Sequence, residues 1–446
     1  MASHDGSRAF DRELPLETLS WKITKHAAVV SQYLAAHELP QPSAERDGPV
    51  TVVPDNAPAH VRQSLEQLAA ASLEMTQLAL GPSEYVANLA TGLQYISCLS
   101  WLCQYEILRR VPLDGAISYA DLAAVAGVPE QRLKSVVRMA MTSGLFRERP
   151  GIGVAHSATS ALLARNADTH AWASYLCART APMALAMGAA HKRWGPDTVR
   201  PNETAYNLAF NTDLPFFDDI ARDEARVSEF AAYMRNVRSS KGIAIEHLLN
   251  GYKWQSIREG GLVVDVGGST GTTAIMLARK FPHLRFVVED LEANAESGRK
   301  ALPAELASRV TFKAHDFMQP QPVRGADVYL LRMILHDWPD DASIHILRHL
   351  VAAMAERPGA RLIIMDTVLP APGSVPLSVE RIVRIRDLTM MQAFNSKERD
   401  LDDWKNLLAA ADARLRLVNV VQPFGSDMSV LEVQLDPGAT SNGVVA

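Results

Sequence analysis

The sequence predicts an α/β chain: a C-terminal Rossmann-like doubly wound sheet, preceded by a helical N-terminal region that contains a winged helix. Three observations carry this. Beyond residue 260, short apolar runs alternate with helical stretches, the pattern of a mostly parallel sheet. The first of these runs, Leu262–Val266, opens directly into the glycine-rich loop Gly267-Gly268-Ser269-Thr270-Gly271 and then a helical segment. Residues 118–155 read as helix, turn, helix and hairpin.

At 446 residues the chain is too long for one ordinary core. The expected division is a helical arm and linker over 1–57, a winged-helix domain over 58–170 and a helical connector contributing to the substrate pocket over 171–250. A cofactor-binding catalytic domain over 251–436 and a tail over 437–446 complete it. The opening MASHDGSRAFDREL lacks the basic start and apolar core of a secretory signal. Leu19, Ile23, Val30 and Leu34 then mark one amphipathic helix over residues 16–37, followed by a Pro-rich linker over 40–58. Residues 59–110 are helical and strongly apolar, as a core or a subunit interface requires. Ser118 caps YADLAAVAG, a turn at Gly127–Pro129 opens EQRLKSVVRMAMTSG, and LFRER and IGVAH form the hairpin.

A winged helix can read DNA, here through Gln131, Arg132, Lys134 and Arg138 on its second helix. Three basic residues are few for that task, and the net charge of -5 argues against a nucleic-acid surface. A structural or dimerising role is the better expectation. Over 171–249 the aromatic and methionine residues Trp194, Tyr206, Phe210, Phe216, Phe217, Tyr233 and Met234 read individually as core. No apolar run approaches the roughly 20 residues of a membrane span. Cys98, Cys103 and Cys177 lack metal-type spacing and fit a reducing compartment, so a cytoplasmic enzyme without a metal is expected.

The sheet's expected strands are LVVDV, LRFVVED, RVTFKAHDF, ADVYLLRM and ARLIIMDTV, closed by LRLVNVV and MSVLEVQL. Glycines let the first strand turn tightly against a ligand at a helix N-terminus. Asp290, ending the second strand, can accept hydrogen bonds from the ribose of an adenosine cofactor. The loop is D-x-G-x-S-x-G, which lacks the G-x-G-x-x-G spacing of a dinucleotide site, so an NAD-dependent reductase is disfavoured. Asp265 suits a cationic, amino-acid-bearing ligand, and Asp316 after the third strand can meet an adenine amino group. Short loop and strand-end acids in this order resemble class I S-adenosylmethionine methyltransferases.

The fourth strand runs into Leu335-His336-Asp337-Trp338. A phenol has an ordinary pKa near about 10 and an imidazole near about 6.5. A placed histidine can therefore take the phenolic proton as the oxygen attacks. His283, His315, His345 and His349 read as structural, whereas His336 follows a strand at the edge where open sheets bind ligands. Asp366 and Glu398 are candidate acids to orient it.

With NLAFNTDLPFF, D-x-G-G-x-x-G, H-D-W and K-E-R in this order, the chain resembles the plant caffeic acid and fungal polyketide (sterigmatocystin-type) O-methyltransferases over about residues 64–435. The resemblance implies S-adenosylmethionine as cofactor and S-adenosylhomocysteine as its product. His336 would be the base, with Asp366 and Glu398 flanking its ring. Asp265, Gly267, Gly268, Gly271, Asp290, Asp316, Phe317 and Arg332 would surround the cofactor. Phe210, Met234, Met390, Met391 and Phe394 would contact a small aromatic substrate. It also implies a homodimer through the N-terminal domain, with no nucleic-acid or membrane partner. Asp366 stands where plant relatives have Glu and reaches less far toward the His336 ring. Ala393-Phe394-Asn395-Ser396 departs from their Asn-rich loop, which disfavours a hydroxycinnamate, and the long N-terminal arm resembles the fungal branch, which implies a polyketide-derived or similar fused aromatic substrate. A pericyclase on the same fold is the alternative, but it should have lost the intact His336-Asp337. A winged-helix regulator is less favoured.

Overall fold

A computed structural model describes residues 15–436 and 438. The opening segment read for a signal and nearly all of the tail lie outside the described residues. The chain forms two compact units: one runs to Cys177 and takes in Pro372–Ile382, and the other comprises Ala178–Ala371 with the chain from Val383 onward.

In the first unit, helix Pro15–Ala36 packs on helix Ala59–Leu80 through Val30, Leu34, Val53, Ala57 and Val61. The arm therefore packs on its own unit. The apolar stretch 59–110 is interrupted at Gly81-Pro82, because proline cannot continue a helix it does not begin, and resumes as Tyr85–Gln104. Ser118 Oγ accepts the Asp121 N–H at 3.0 Å and starts helix Tyr119–Ala126, which Gly127 ends at φ 69°. Helix Glu130–Met141 follows, then β1 (Arg147–Arg149) and β2 (Gly153–Ala155) pair antiparallel. This is the expected winged helix. Two of its four would-be reading residues are paired within the unit: Arg138 with Glu148 at 2.6 Å and Lys134 with Glu130 at 2.6 Å. Leu78, Leu80, Val86, Leu89 and Leu93 stand exposed on helices Ala59–Leu80 and Tyr85–Gln104.

The second unit holds the sheet. Its strands are β3 (Leu262–Val266), β4 (Arg285–Asp290), β5 (Val310–Ala314), β6 (Val328–Arg332) and β7 (Arg361–Asp366). Two-residue strands β8 (Val368–Leu369) and β9 (Arg399–Asp400) pair parallel beside it, and β10 (Leu415–Val421) and β11 (Ser429–Leu435) complete it. The order is β10-β11-β7-β6-β3-β4-β5, with β11 antiparallel to both neighbours and the β7-to-β5 pairs all parallel. The central strands are buried on both faces, which is why they read as continuous apolar runs. Val264, Val266 and Ile364 pack with Leu350, Trp404 and Leu408 on one face. Val263, Val288 and Ile363 pack with Ala274, Leu277 and Trp254 on the other. Each fully buried aliphatic side chain contributes roughly 1.5–3 kcal/mol, so the sheet is a stiff platform for the loops at its ends. Among the described residues no helix is long and apolar enough to cross a membrane.

Candidate active site

From β3 the chain steps outward through β4 and β5, then returns to β6 on the other side of β3. That reversal opens a crevice between the loops leaving β3 and β6. Gly267 takes φ 72°, and a Cβ there would lie 2.6 Å from Ile334 Cδ1 and 3.4 Å from the Phe317 ring. The loop after β3 thus touches both the loop after β6 and Phe317, and only glycine leaves the space between them open. Ser269 and Met333 also take left-handed backbone, at φ 53° and 55°. Such conformations cost on the order of 1–3 kcal/mol and persist where neighbours over-determine them. Here the Ser269 N–H donates to Asp290 Oδ2 at 2.8 Å and the Met333 N–H to Met365 O at 3.0 Å.

Asp290 Oδ1 additionally accepts from Leu291 N–H at 2.9 Å and Asn294 Nδ2 at 2.7 Å. Asp265 lies inside the sheet with Oδ2 unpartnered; burial pushes its carboxyl up to about 7, opposed by the charge of Arg332. Arg332 itself donates to Ile243 O. Asp316 Oδ1 accepts Met318 N–H at 2.9 Å, and Phe317 meets Trp338 edge-on at 5.7 Å.

His336 sits on the short 3-10 turn Leu335–Asp337, directly after β6. Its Nδ1 hydrogen-bonds Glu398 Oε1 at 3.0 Å, and its Nε2 lies 3.6 Å from Asp337 Oδ1. Burial would lower the ring's pKa, but Asp337, Glu398 and Asp366 together overcome it and raise it to about 10. Asp366 is fully buried and its carboxylate makes no hydrogen bond, so it acts on the ring through its field alone. Glu398 is also buried, and the charge of His336 helps to hold its pKa below the ordinary value against the effect of burial. Asp337 is the neighbour that sequence reasoning left without a role, although its place in H-D-W marked it. Arg399, fully buried beside Glu398, was also left out.

The expected substrate residues fall in two groups. Phe210 and Phe394 belong to an aromatic cluster with Tyr206, Phe216 and Phe230, where Phe394 stacks on Phe217 at 5.3 Å. Met234 lies half-buried on helix Glu224–Ser239, and Met390 and Met391 are half-buried on helix Leu377–Phe394. A cavity of about 510 Å³ lies instead at the opposite sheet edge, beside Lys253, Arg258 and Arg361. Its charges are largely consumed by Arg258–Asp327, Arg357–Asp327 and Arg361–Glu432 pairs at 2.6–3.0 Å. It has no part in this site.

The three acids around His336 yield a prediction about stability. Burial pushes Asp366 up to about 7 from an ordinary value near 3.8. The folded chain then keeps a proton that the unfolded chain releases, so this contribution is complete below the ordinary value and is lost as pH rises through about 7. His336 has the same sign over a higher window, from its ordinary 6.5 to about 10. Asp366→Asn should therefore gain stability relative to wild type between about pH 5 and about pH 8, by on the order of 1 kcal/mol. Thermal unfolding across that range measures it, and parallel curves for the two proteins would refute the assignment.

The sheet order with one reversed strand, the short glycine loop and the strand-end acids together define a class I S-adenosylmethionine-dependent methyltransferase. Residues 196–413 match the O-methyltransferase domain family. O-methyltransferase pgmB of Aspergillus terreus is 62% identical over 426 residues, covering 94% of this chain and 96% of that protein. The chain belongs to the S-adenosylmethionine-dependent O-methyltransferases. Among solved structures, OxaC matches with a TM-score of 0.74 and 22% identity over 94% of this chain and 100% of that one. A pericyclic reaction enzyme matches with a TM-score of 0.68 and 24% identity over 84% and 95%. At those identities the two structures share the fold.

The residues present fit S-adenosylmethionine. The Gly267 cradle would be filled by any Cβ, and Asp265 Oδ2 is a buried acceptor without a partner. Among the described residues no cluster of His, Cys, Asp and Glu has the form of a metal site.

Proposed function

We propose that the chain methylates a hydroxyl of a small aromatic substrate, a fused polyketide-derived phenol, with His336 as general base. The observation that carries this reading is the His336–Glu398 hydrogen bond at 3.0 Å, placed at the ligand-binding edge of the sheet. S-adenosylmethionine, when bound, supplies a methyl group already activated on a sulfonium. The protein's own work is then to align an oxygen and take its proton. Glu398 accepts from Nδ1–H, which fixes the tautomer and leaves Nε2 as the atom that takes the proton. Asp290 holds ribose, Asp265 faces the cationic amino-acid end, and Asp316 with Phe317 receives adenine. Gly267, Gly268 and Gly271 let the backbone come close, and Arg332 balances Asp265. Phe210, Met234, Met390, Met391 and Phe394 line the acceptor's side.

A ring held near 10 is an imidazolium at neutral pH and cannot act as a base. Positive charge entering the crevice works against this and toward the neutral ring, because a like charge favours loss of the proton. Asp337, 3.6 Å from Nε2, is placed to stabilise the imidazolium that forms again after transfer. The exposed leucines of the first unit favour a homodimer.

The test is release of S-adenosylhomocysteine from S-adenosylmethionine in the presence of mono- and polycyclic phenols. Release that depends on a fused phenol supports the reading. Release with a non-aromatic acceptor alone would refute the substrate class. Conversion of a polyene substrate without S-adenosylhomocysteine release would favour the pericyclase alternative, which the likeness of fold to a pericyclic reaction enzyme motivates.

A further inference from the structure

We infer that Arg399 is a positioning residue, which locks the His336 turn and the ring's hydrogen-bond partner into one rigid unit; the inference rests on His336 being the base. Arg399 is 1% exposed. Its Nη1 donates to Leu335 O at 2.7 Å, and its Nη2 donates to Trp338 O at 2.9 Å. Those carbonyls bracket His336 and Asp337 on the turn. Nε and Nη2 also reach Asp340 Oδ1 at 3.0 and 2.8 Å, and Nη2 reaches Ser343 Oγ at 3.2 Å. One guanidinium thereby binds the turn to the first residues of helix Asp340–Met354.

The residue before it, Glu398, holds the His336 ring, and Glu398 N–H donates to Asp387 Oδ1 at 3.0 Å. Arg399 and Asp400 pair with β8, which directly follows Asp366 and Thr367. Ring partner, turn clamp and field-bearing acid are therefore spaced by one short piece of backbone. Burying a guanidinium costs several kcal/mol unless its donors are satisfied. An apolar side chain would fill the space at no such cost, so the use of arginine points to the five-donor fork itself. Lysine offers three donors at one point and cannot reach both carbonyls and Asp340 together. Left unclamped, the turn would let the ring drift from its line to the acceptor, and such misplacement costs on the order of 100-fold in rate.

The experiment is proton NMR of protein with ring-¹⁵N histidine, saturated with S-adenosylhomocysteine. His336 signals are assigned by their absence in His336→Asn. In wild type the Nδ1–H resonance is expected far downfield because Glu398 accepts it. Arg399→Lys and Arg399→Met should bind S-adenosylhomocysteine within about 2-fold of wild type, because the guanidinium holds the His336 turn, Asp340 and Ser343 and not the glycine loop. Their His336 resonance should broaden or move upfield, more in the methionine variant. A folded Arg399→Met protein with an unchanged resonance and ring titration overturns the proposal. If that variant fails to fold, Asp340→Ala removes the outer anchor that Arg399 Nε and Nη2 reach, together with a longer contact to Lys397, and should shift the same resonance less, in the same direction; no shift there overturns it too. Turnover by His336→Ala would instead defeat the base assignment while leaving the resonance result standing, so the two failures are distinguishable.

Discussion

His336→Ala is expected to lower kcat by between about 10²- and 10⁴-fold, the usual worth of a positioned general base. The affinity for S-adenosylhomocysteine should stay within about 2-fold, because the ring bonds Glu398 and faces Asp337, not the glycine loop. The variant also leaves Glu398 buried without its imidazole, at a cost of roughly 1–3 kcal/mol. Its melting temperature should therefore drop, and kcat has to be compared at a temperature where both proteins are folded. In the wild type the acid limb of the rate profile is expected to report the ring losing its proton. That limb should vanish in the variant. A variant with normal kcat, or one whose cofactor affinity falls as far as its rate, would remove His336 from the proton path.

Asp290→Ala should raise the Kd for S-adenosylhomocysteine by about 10- to 100-fold while sparing kcat at saturating cofactor. A carboxylate has about four acceptor positions. The N–H groups of Ser269 and Leu291 and the Asn294 amide already fill three. Asp290 can therefore accept from one ribose hydroxyl without releasing the loop. The substitution thus acts twice, removing that bond and freeing Ser269 from the backbone conformation it is held in at φ 53°. Asp290→Asn keeps one carbonyl acceptor and should lose less. Isothermal titration of all three proteins checks the order, and an unchanged Kd in the alanine variant would move the ribose elsewhere.

The strands of the sheet were legible in the sequence because burial on both faces writes itself as runs such as LVVDV and LIIM, bounded by glycine and acid punctuation. The winged helix was legible for a similar reason, through Ser118, Gly127 and the Pro150-Gly151 turn. Motifs that lie within a few residues of one another, the glycine loop and H-D-W, carried the candidate site. What sequence left dark is long-range. Glu398, 62 positions from the imidazole it meets, was named only through K-E-R and the resemblance, and Arg399, which meets a carbonyl 64 positions away, was not named at all, because no local pattern encodes such distances. Asp366 illustrates the limit. Its place after the fifth strand suggested an orienting acid, whereas its carboxylate, without a hydrogen bond, contributes charge and no direction. The return of Pro372–Ile382 to the first unit is equally invisible in a linear division of the chain.

The place of β11 bears on how the protein is made. It follows every other described strand in chain order, yet lies between β7 and β10. A chain that ends at Val421 contains the glycine loop, the H-D-W turn and the K-E-R segment, but β7 remains an open edge and β10 has no neighbour in the sheet. Exposed edges of this kind recruit other chains. Premature termination ahead of Ser429 would thus yield a product that carries every candidate site residue and still exposes an aggregation-prone edge.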